Sequence, residues 1–135
     1  MITKDFEIRV RYKETDAMGV VHHSNYVVYY EQARTELLRS FGTTYREMEE
    51  RGIMLPVSEV TMKFFRPAFY DEVLTVRITM PELPGARLIF DHEVFNAQGE
   101  LLNTGRVVLG YVNAATRRPC RAPAAHVDLF RAYFK

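Results

Sequence analysis

The chain lacks the features that mark secreted, membrane-spanning or nucleic-acid-binding proteins. Cys120 is the single cysteine in 135 residues, so no intrachain disulfide can form, and the expectation is a reducing compartment and an inert surface thiol. Eighteen basic and seventeen acidic side chains leave a net charge of +1, which favours neither nucleic acid nor an anionic membrane as a partner. No window reaches the roughly 18 apolar residues of a membrane span, and residues 1–12 lack a signal-peptide core. We therefore expect a cytoplasmic protein.

The composition predicts a single domain spanning residues 1–135. With 47% hydrophobic residues, the chain can build a core without disulfides or metals. It contains no internal repeat, linker or low-complexity segment. Metal binding is not expected, because His22 and His23 are adjacent, His92 and His126 are isolated, and no spacing matches a zinc site. We likewise expect no cofactor.

One long helix is predicted from about Tyr26 to Phe41. Apolar residues recur every three or four positions, at Tyr26, Tyr30, Ala33, Leu37 and Phe41. The opposite side is polar and is formed by Glu31, Gln32, Arg34, Thr35, Glu36 and Arg39. Ser24 or Asn25 is placed to cap the start, and Gly42 to end the helix.

The remaining segments read mainly as strands. Alternation predicts a first strand over Phe6–Tyr12, and a short helix is plausible over Thr43–Arg51. Four strands then follow at hairpin spacing as an antiparallel meander. Their apolar faces are Val60, Met62 and Phe64; Leu74, Val76, Ile78 and Met80; alternate residues of Leu88–Phe95; and alternate residues of Leu101–Val112, with a turn at Asn96–Gly99 between the last two. Pro123 is placed to open a short closing helix with Val127, Phe130 and Tyr133 or Phe134 facing the body.

This order of elements predicts an α+β domain. The long central helix should pack on one face of a curved, five-stranded antiparallel sheet. Such a sheet leaves open edges and an incompletely covered face, which a second copy of the chain commonly covers. We therefore expect a homodimer or a homotetramer.

The stretch Tyr12–Tyr26 resembles the signature of hotdog-fold acyl-CoA thioesterases of the 4-hydroxybenzoyl-CoA thioesterase-like group, and in particular the bacterial type associated with the Tol–Pal system. It follows the pattern T-D-x-x-G-x-V-x-H/Y-x-x-Y and continues into the helix as YYEQARTELL. The segment Lys63–Ala68, followed by Asp71, resembles a second landmark of this family. The likeness extends over about residues 5–113. Met18 departs from the pattern, because many relatives have a small residue or proline there.

The resemblance implies hydrolysis of a thioester at this loop. Asp16 would act either as general base or as the nucleophile of a mixed anhydride, two routes that the sequence leaves open. Free N–H groups at the helix start would hold the oxyanion, and the resemblance points to the N–H of His23. Because His22 precedes His23, we assign the imidazole by its count from Asp16, and we favour a positioning role for it. An aspartate between Thr and Ala is otherwise commonly a turn residue.

Further residues are candidates for substrate binding. Gly19, Val20 and Tyr26 belong to the motif, and Glu31 on the polar helix side could line an acyl pocket or a subunit contact. Tyr29 and Tyr30 could also line it, although core packing is the simpler reading. The phosphates of coenzyme A could be held by basic side chains, which otherwise form solvated surface. These are Lys63 and Arg66, or the cluster Arg117, Arg118 and Arg121.

The expected function is hydrolysis of acyl-CoA to a free acid and CoA, with active sites where subunits meet. A second hypothesis is a hotdog enzyme acting on acyl carrier protein, as thioesterase or dehydratase. The dehydratase arrangement of acid and histidine does not match Asp16 and His23. A third is a non-catalytic acyl-CoA binder or interaction module, against which an intact Asp16 argues.

Overall fold

The computed structural model describes residues 1–134, which form seven β-strands and three α-helices. In chain order these are β1 (Ile2–Arg9), α1 (Ser24–Ser40), α2 (Tyr45–Glu50), β2 (Ile53–Met54), β3 (Val57–Phe64), β4 (Val73–Met80), β5 (Arg87–Phe95), β6 (Leu101–Asn113), β7 (Pro119–Cys120) and α3 (Ala124–Asp128). Single 3-10 turns lie at Tyr12–Glu14 and Arg131–Tyr133. Across this part of the chain, no helix has the length and apolar character needed to span a bilayer.

All pairings between the named strands are antiparallel, as predicted, but the meander is broken once. The order is β1-β4-β5-β6, and β3 pairs with β6 instead of with β4. The connection from β3 to β4 therefore passes β6 and β5 to reach the position next to β1. Ala68 and Phe69 in this connection pair with Val21 and Val20 of the loop before α1. The connection is therefore held by this loop and not by a hairpin turn.

Two short strands were not predicted. Both β2 and β7 are two residues long and pair with the C-terminal end of β6, so that the sheet has seven strands where five were expected. Two residues are too few for alternation to be visible in a sequence. Cys120 lies in β7 and is half-buried and free.

The first strand lies earlier than predicted. It ends at Arg9, and Tyr12 belongs to a 3-10 turn with its side chain 76% exposed. The turn forms because Glu14 and Thr15 donate backbone hydrogen bonds to the carbonyls of Arg11 and Tyr12. The predicted face is otherwise correct, since Phe6 and Ile8 are half-buried and Val10 is buried.

Helix α1 confirms the predicted stripe, with Tyr26, Tyr30, Ala33 and Leu37 buried. Its end is also confirmed. Gly42 has a φ of +82°, and the N–H groups of Gly42 and Thr43 donate to the carbonyls of Arg39 and Leu38 in a Schellman arrangement.

The predicted N-cap is wrong, because His23 occupies that position without a side-chain cap. Asn25 uses its side chain elsewhere and donates to the carbonyls of Glu14 and His22 at 2.9 and 3.2 Å. The polar face also contains an exception. Arg34 was expected to be exposed and is buried, because α2 and the residues that follow it pack beside this turn of α1.

The short elements at both ends of the chain follow the sequence signals. The Thr44 hydroxyl accepts from the N–H of Glu47 at the start of α2, and Gly52 follows the helix with a φ of +80°. Pro123 occupies the N-cap position of α3, and Phe130 is buried against Phe41 with ring centroids 4.9 Å apart. Tyr133 is 55% exposed, whereas Phe134 is half-buried, so the body-facing residue of that pair is Phe134.

Strand β3 does not have the buried apolar face that was predicted. Val60 is 37% exposed and Phe64 is 51% exposed, whereas Met62 is half-buried. Leu74, Val76, Ile78 and Met80 of β4 are fully buried, as predicted. The difference arises because β3 lies outside β6 in the sheet, and α1 covers that part of the sheet incompletely.

Tyr30 packs against the sheet where β5 and β6 meet. Its ring stacks on His92 with centroids 4.1 Å apart, and its hydroxyl donates to Asn103 Oδ1. A Cβ at Gly105 would lie 2.5 Å from the Tyr30 ring. The small residue at 105 therefore lets the helix approach the sheet.

Gly105→Ala should destabilise the protein by about 1–3 kcal/mol, because Tyr30 is fixed by its stacking and hydrogen bond and cannot retreat from a new methyl group. Gly110→Ala is the matched control on the same strand, since a Cβ there meets nothing within 4 Å and the backbone is not left-handed. Urea unfolding of both variants measures the difference. Equal midpoints would contradict the packing role of Gly105.

Candidate active site

The loop before α1 is held as a compact turn. Asp16 N–H donates to the carbonyl of Val20, and Gly19 N–H donates to the carbonyl of Asp16, each at 2.9 Å. Gly19 has a φ of +79°, a conformation that glycine adopts without strain. Val21 N–H donates to the Ala68 carbonyl at 2.8 Å. The motif is therefore fixed by the β3–β4 connection.

The Asp16 carboxylate has one oxygen engaged in this turn. Its Oδ1 accepts from the N–H of Met18 at 2.8 Å, which is the turn role considered for an aspartate at this place. Oδ2 makes no hydrogen bond within residues 1–134, and the residue is half-buried. The turn orients the carboxylate and leaves one oxygen open.

The start of α1 presents one unused backbone donor. The N–H groups of His22, Ser24 and Asn25 are bonded to Glu14 O, His22 Nδ1 and His22 O, respectively. The N–H of His23 makes no hydrogen bond in the part of the chain that the structure describes. The His23 side chain is exposed and lies against the His22 ring, with centroids 4.1 Å apart. An open N–H at the positive end of a 17-residue helix can stabilise a negative oxygen.

A cleft of about 280 Å³ opens beside this helix start. It is lined by Val21, His23, Tyr26, Phe64, Phe65, Arg66 and Pro67. Tyr26 is buried and packs edge to face on Phe64, with centroids 5.4 Å apart. Burial, with a further contribution from the charge of Glu72, raises the pKa of Tyr26, which keeps its hydroxyl neutral.

The predicted site residues are only partly brought together. His23, Tyr26 and Arg66 line the cleft, whereas Asp16 lies in the turn that precedes it and is not among the lining residues. Gly19 is at the exposed tip of that turn, and Val20 pairs with Phe69.

The other candidates lie elsewhere. Lys63 lines a hollow with Asp91 and Arg106, and Glu31 lines a separate cavity between α1 and α2. Arg66 forms an exposed ion pair with Glu100 at 3.1 Å. Within residues 1–134 no group of three or more His, Cys, Asp or Glu side chains is arranged to hold a metal ion.

Glu14 is a structural residue of the loop that the sequence did not reveal. Its carboxylate is 3% exposed and accepts from the Arg11 N–H and the Tyr29 hydroxyl, each at 2.8 Å, and from the Arg11 guanidinium at 3.0 and 3.1 Å. Burial by itself would raise the pKa of Glu14, but these bonds together lower it. Burial, and then the bond to Glu14, raises the pKa of Tyr29, which remains a neutral donor.

Glu14 therefore ties the 3-10 turn to the first turns of α1. No spacing rule distinguishes it from the exposed glutamates of the chain, because its partner Tyr29 is fifteen residues away.

A long helix packed against an antiparallel sheet is the arrangement of the hotdog fold, which is found in thioesterases. The chain belongs to the thioesterase-like superfamily, whose profile matches residues 10–130. It is 33% identical over 129 residues to a putative acyl-CoA thioesterase, YneP, of Bacillus subtilis, covering 96% of this chain and 94% of that protein. It is 32% identical over 124 residues to the acyl-CoA thioester hydrolase YbgC of Escherichia coli O157:H7, covering 92% of each.

Solved structures agree with this membership. A DHNA-CoA thioesterase from Staphylococcus aureus superimposes with a TM-score of 0.90 at 34% identity, covering 98% of this chain and 89% of that one. The protein TT1821 from Thermus thermophilus gives a TM-score of 0.88 at 38% identity, covering 95% and 97%. The predicted hotdog fold is confirmed.

Glu14→Gln should destabilise the protein by about 1–3 kcal/mol, because the charge-assisted bonds from Arg11 are lost in a buried site. The lowered pKa of Glu14 contributes stability above the unfolded value of about 4.3, and this contribution is lost as the pH falls through the folded value. The variant should therefore lose less stability than wild type on acidification below about pH 4. Chemical unfolding at neutral and acidic pH measures both effects. Glu7→Gln, at an exposed position of β1, serves as control, and identical curves for Glu14→Gln and Glu7→Gln would refute the anchoring role.

Proposed function

We propose that this protein hydrolyses acyl-CoA thioesters to a free acid and CoA, with Asp16 and the N–H of His23 acting at the reacting carbonyl. The observation that carries the proposal is the open N–H of His23 at the start of α1, directly after the turn that orients Asp16. The names of the acyl-CoA thioesterase relatives support the same substrate class.

The His23 N–H stabilises the oxyanion that forms when the thioester carbonyl is attacked. The helix dipole adds to this effect, and the site needs no reorganisation because the backbone is fixed on both sides. A single such donor typically contributes about 3 kcal/mol to transition-state stabilisation. The imidazole of His23, which is exposed at the cleft, positions the attacking water.

Asp16 acts through Oδ2, the carboxylate oxygen that is not bonded in the turn. As a general base it removes a proton from water, and as a nucleophile it forms a mixed anhydride that water then opens. Both routes use the same free oxygen. Isotope transfer from labelled water into the Asp16 carboxylate in a single turnover would identify the anhydride route, because a general base exchanges no oxygen; the label enters Asp16 when water opens the anhydride at the Asp16 carbonyl.

Residues around the cleft bind the rest of the substrate. Tyr26 forms an apolar wall for the acyl group, and Gly19 and Val20 shape the turn beside it. Arg66 is exposed, and its surface pair with Glu100 is weak enough to exchange for a CoA phosphate. Lys63 is a second phosphate candidate, whereas Glu31 lines the separate cavity between α1 and α2 and is given no role in this cleft.

We further propose that the active form is a homodimer or homotetramer in which β3 lies at the subunit contact. Val57, Val60 and Phe64 of this strand are 46%, 37% and 51% exposed, which is unusual for a strand beside the main helix. Phe64 also lines the cleft, so a partner covering β3 would complete the acyl site.

The remaining expectations stand as proposals with the same support. Residues 1–135 are proposed to form one domain, since a single hydrophobic cluster joins Ile2 near one end to Phe130 near the other. A cytoplasmic location fits the single cysteine. Membership of the Tol–Pal-associated type is proposed from the likeness of the loop to that type.

Asp16→Asn should lower the turnover of acyl-CoA by about 10²–10⁴-fold while leaving the unfolding midpoint nearly unchanged, because Asn can still accept from the Met18 N–H but cannot act as base or nucleophile. Release of CoA thiol from short, long and aromatic acyl-CoAs measures turnover. Asp128→Asn, which alters only an exposed pair with Arg131, is the control. Full activity of Asp16→Asn would refute the assignment. Negligible release by wild type would favour acyl carrier protein substrates or a binding role.

Val60→Glu should shift the protein toward monomers and lower turnover, because it places a charge on the proposed subunit contact. Light scattering on a sizing column should give wild type a mass of at least twice the 15.7 kDa of one chain. Glu82→Gln, at an exposed position between β4 and β5, should leave the mass unchanged. A monomeric wild type with full activity would overturn the proposed assembly.

A further inference from the structure

A cavity of about 240 Å³ lies between α1, α2 and the sheet, and it shares no lining residue with the cleft at the helix start. Its lining residues are Glu31, Arg34, Tyr45, Met48, Glu49, Ile53, Leu55 and Leu109. Arg34 follows His23 by eleven residues on the same helix, which places it about 16 Å further along the axis. The cavity is therefore separate from the proposed thioester site.

Arg34 is the unusual feature of this cavity. The residue is only 6% exposed, and its Nε and Nη1 atoms are buried without a hydrogen-bond partner within residues 1–134. Arginine is rarely buried without a partner, because a charge that leaves water must be compensated. Two open donors on a buried guanidinium indicate a place for an anionic oxygen.

Tyr45 adds a second polar group to the same cavity. Its hydroxyl is buried and makes no hydrogen bond of full geometry within residues 1–134, but it lies close enough to the Arg34 guanidinium to interact with it. Burial raises the pKa of Tyr45 to about 12, with a smaller contribution from Glu31, whereas the charge of Arg34 and a hydrogen bond with its guanidinium oppose the rise. The hydroxyl therefore stays neutral and can donate. Arg34 and Tyr45 together offer several donors in one small space.

The glutamates at this cavity do not neutralise Arg34. Glu31 and Glu49 are both exposed, and neither lies within ion-pair distance of the guanidinium. By contrast, the buried Glu14 is fully bonded to Arg11. Exposed carboxylates repel an anion only weakly because water screens them, whereas the buried guanidinium acts in a less polar medium.

The rest of the lining is apolar and defines the other half of the ligand. Met48, Ile53, Leu55 and Leu109 surround the polar pair. One cation with a neutral donor matches a singly charged carboxylate better than a phosphate dianion, and the volume suits a molecule smaller than a drug-sized ligand.

We propose that this cavity binds a small organic acid, with its carboxylate on Arg34 and Tyr45 and its aliphatic or aromatic body against the apolar residues. A free acid of this kind is what thioester hydrolysis releases. Only this link to the reaction product rests on the proposed function; the binding site itself does not.

Calorimetric titration and thermal melting with benzoate and hexanoate test the site, with benzamide as the neutral match of benzoate and chloride at equal ionic strength as the salt control. Wild type should bind benzoate saturably with a Kd of about 1 mM or below, and benzamide at least tenfold more weakly. Arg34→Met should abolish the saturable binding, and Tyr45→Phe should weaken it about two- to tenfold. Glu31→Gln should strengthen it, because a competing negative charge is removed.

The decisive comparisons do not require turnover. Asp16→Asn should bind benzoate as wild type does, so the site can be tested even if the catalytic assignment fails. A changed affinity in Asp16→Asn, and in particular tighter binding on removal of the repelling carboxylate, would place the acid in the cleft and overturn the proposal. Equal binding of benzoate and benzamide, or no saturable binding to wild type at about 50 mM, would also overturn it. If Arg34→Met does not fold, Tyr45→Phe and Glu31→Gln, which must shift affinity in opposite directions, decide the question.

Discussion

The buried carboxylate of Glu14 is the interaction on which the arrangement of the site depends. It accepts four bonds, from the backbone and guanidinium of Arg11 and from the hydroxyl of Tyr29, and so joins the end of β1 to the first turns of α1. The Glu14 carbonyl in turn accepts from His22 N–H and Asn25 Nδ2. The segment that carries the catalytic candidates is therefore closed at both ends by one residue. A charge-assisted network around a buried carboxylate is stiff, which is what the proposed oxyanion site requires.

The second constraint is the contact of α1 with the sheet. Tyr30 lies over Gly105 and on His92, and burial lowers the pKa of His92 to about 4, so the stacked ring is neutral at physiological pH. Because the helix is fixed in this way, its N-terminus faces the β3–β4 connection, whose Ala68 pairs with the loop. The cleft is thus a consequence of how the helix is held and of where β3 ends.

Polar and apolar surface are distributed unevenly over the molecule. The outer face of the sheet is polar and carries ion pairs such as Arg77 with Asp5 and Arg106 with Asp91. The apolar exposure is concentrated instead on β3 and on the aromatic residues near the loop, among them Phe65 and Phe69. Self-association through the outer face of the sheet would need exposed apolar residues there. Because these residues lie on β3 instead, the distribution favours association along β3.

The sequence by itself determined the class of fold, most of the strand faces, the helix stripe and both glycine stops, because these depend on local periodicity and backbone preference. It also identified the loop that carries the motif resembling the family, Tyr12–Tyr26. Only the tertiary structure decided that β3 leaves the meander, that its apolar face is half-exposed, that Arg34 is buried and that Glu14 closes the loop. Each of these depends on partners far away along the chain: β6 for β3, α2 for Arg34, and Tyr29 for Glu14. Periodicity shows which side of an element is apolar. It does not show which neighbour covers that side or which polar group becomes buried there.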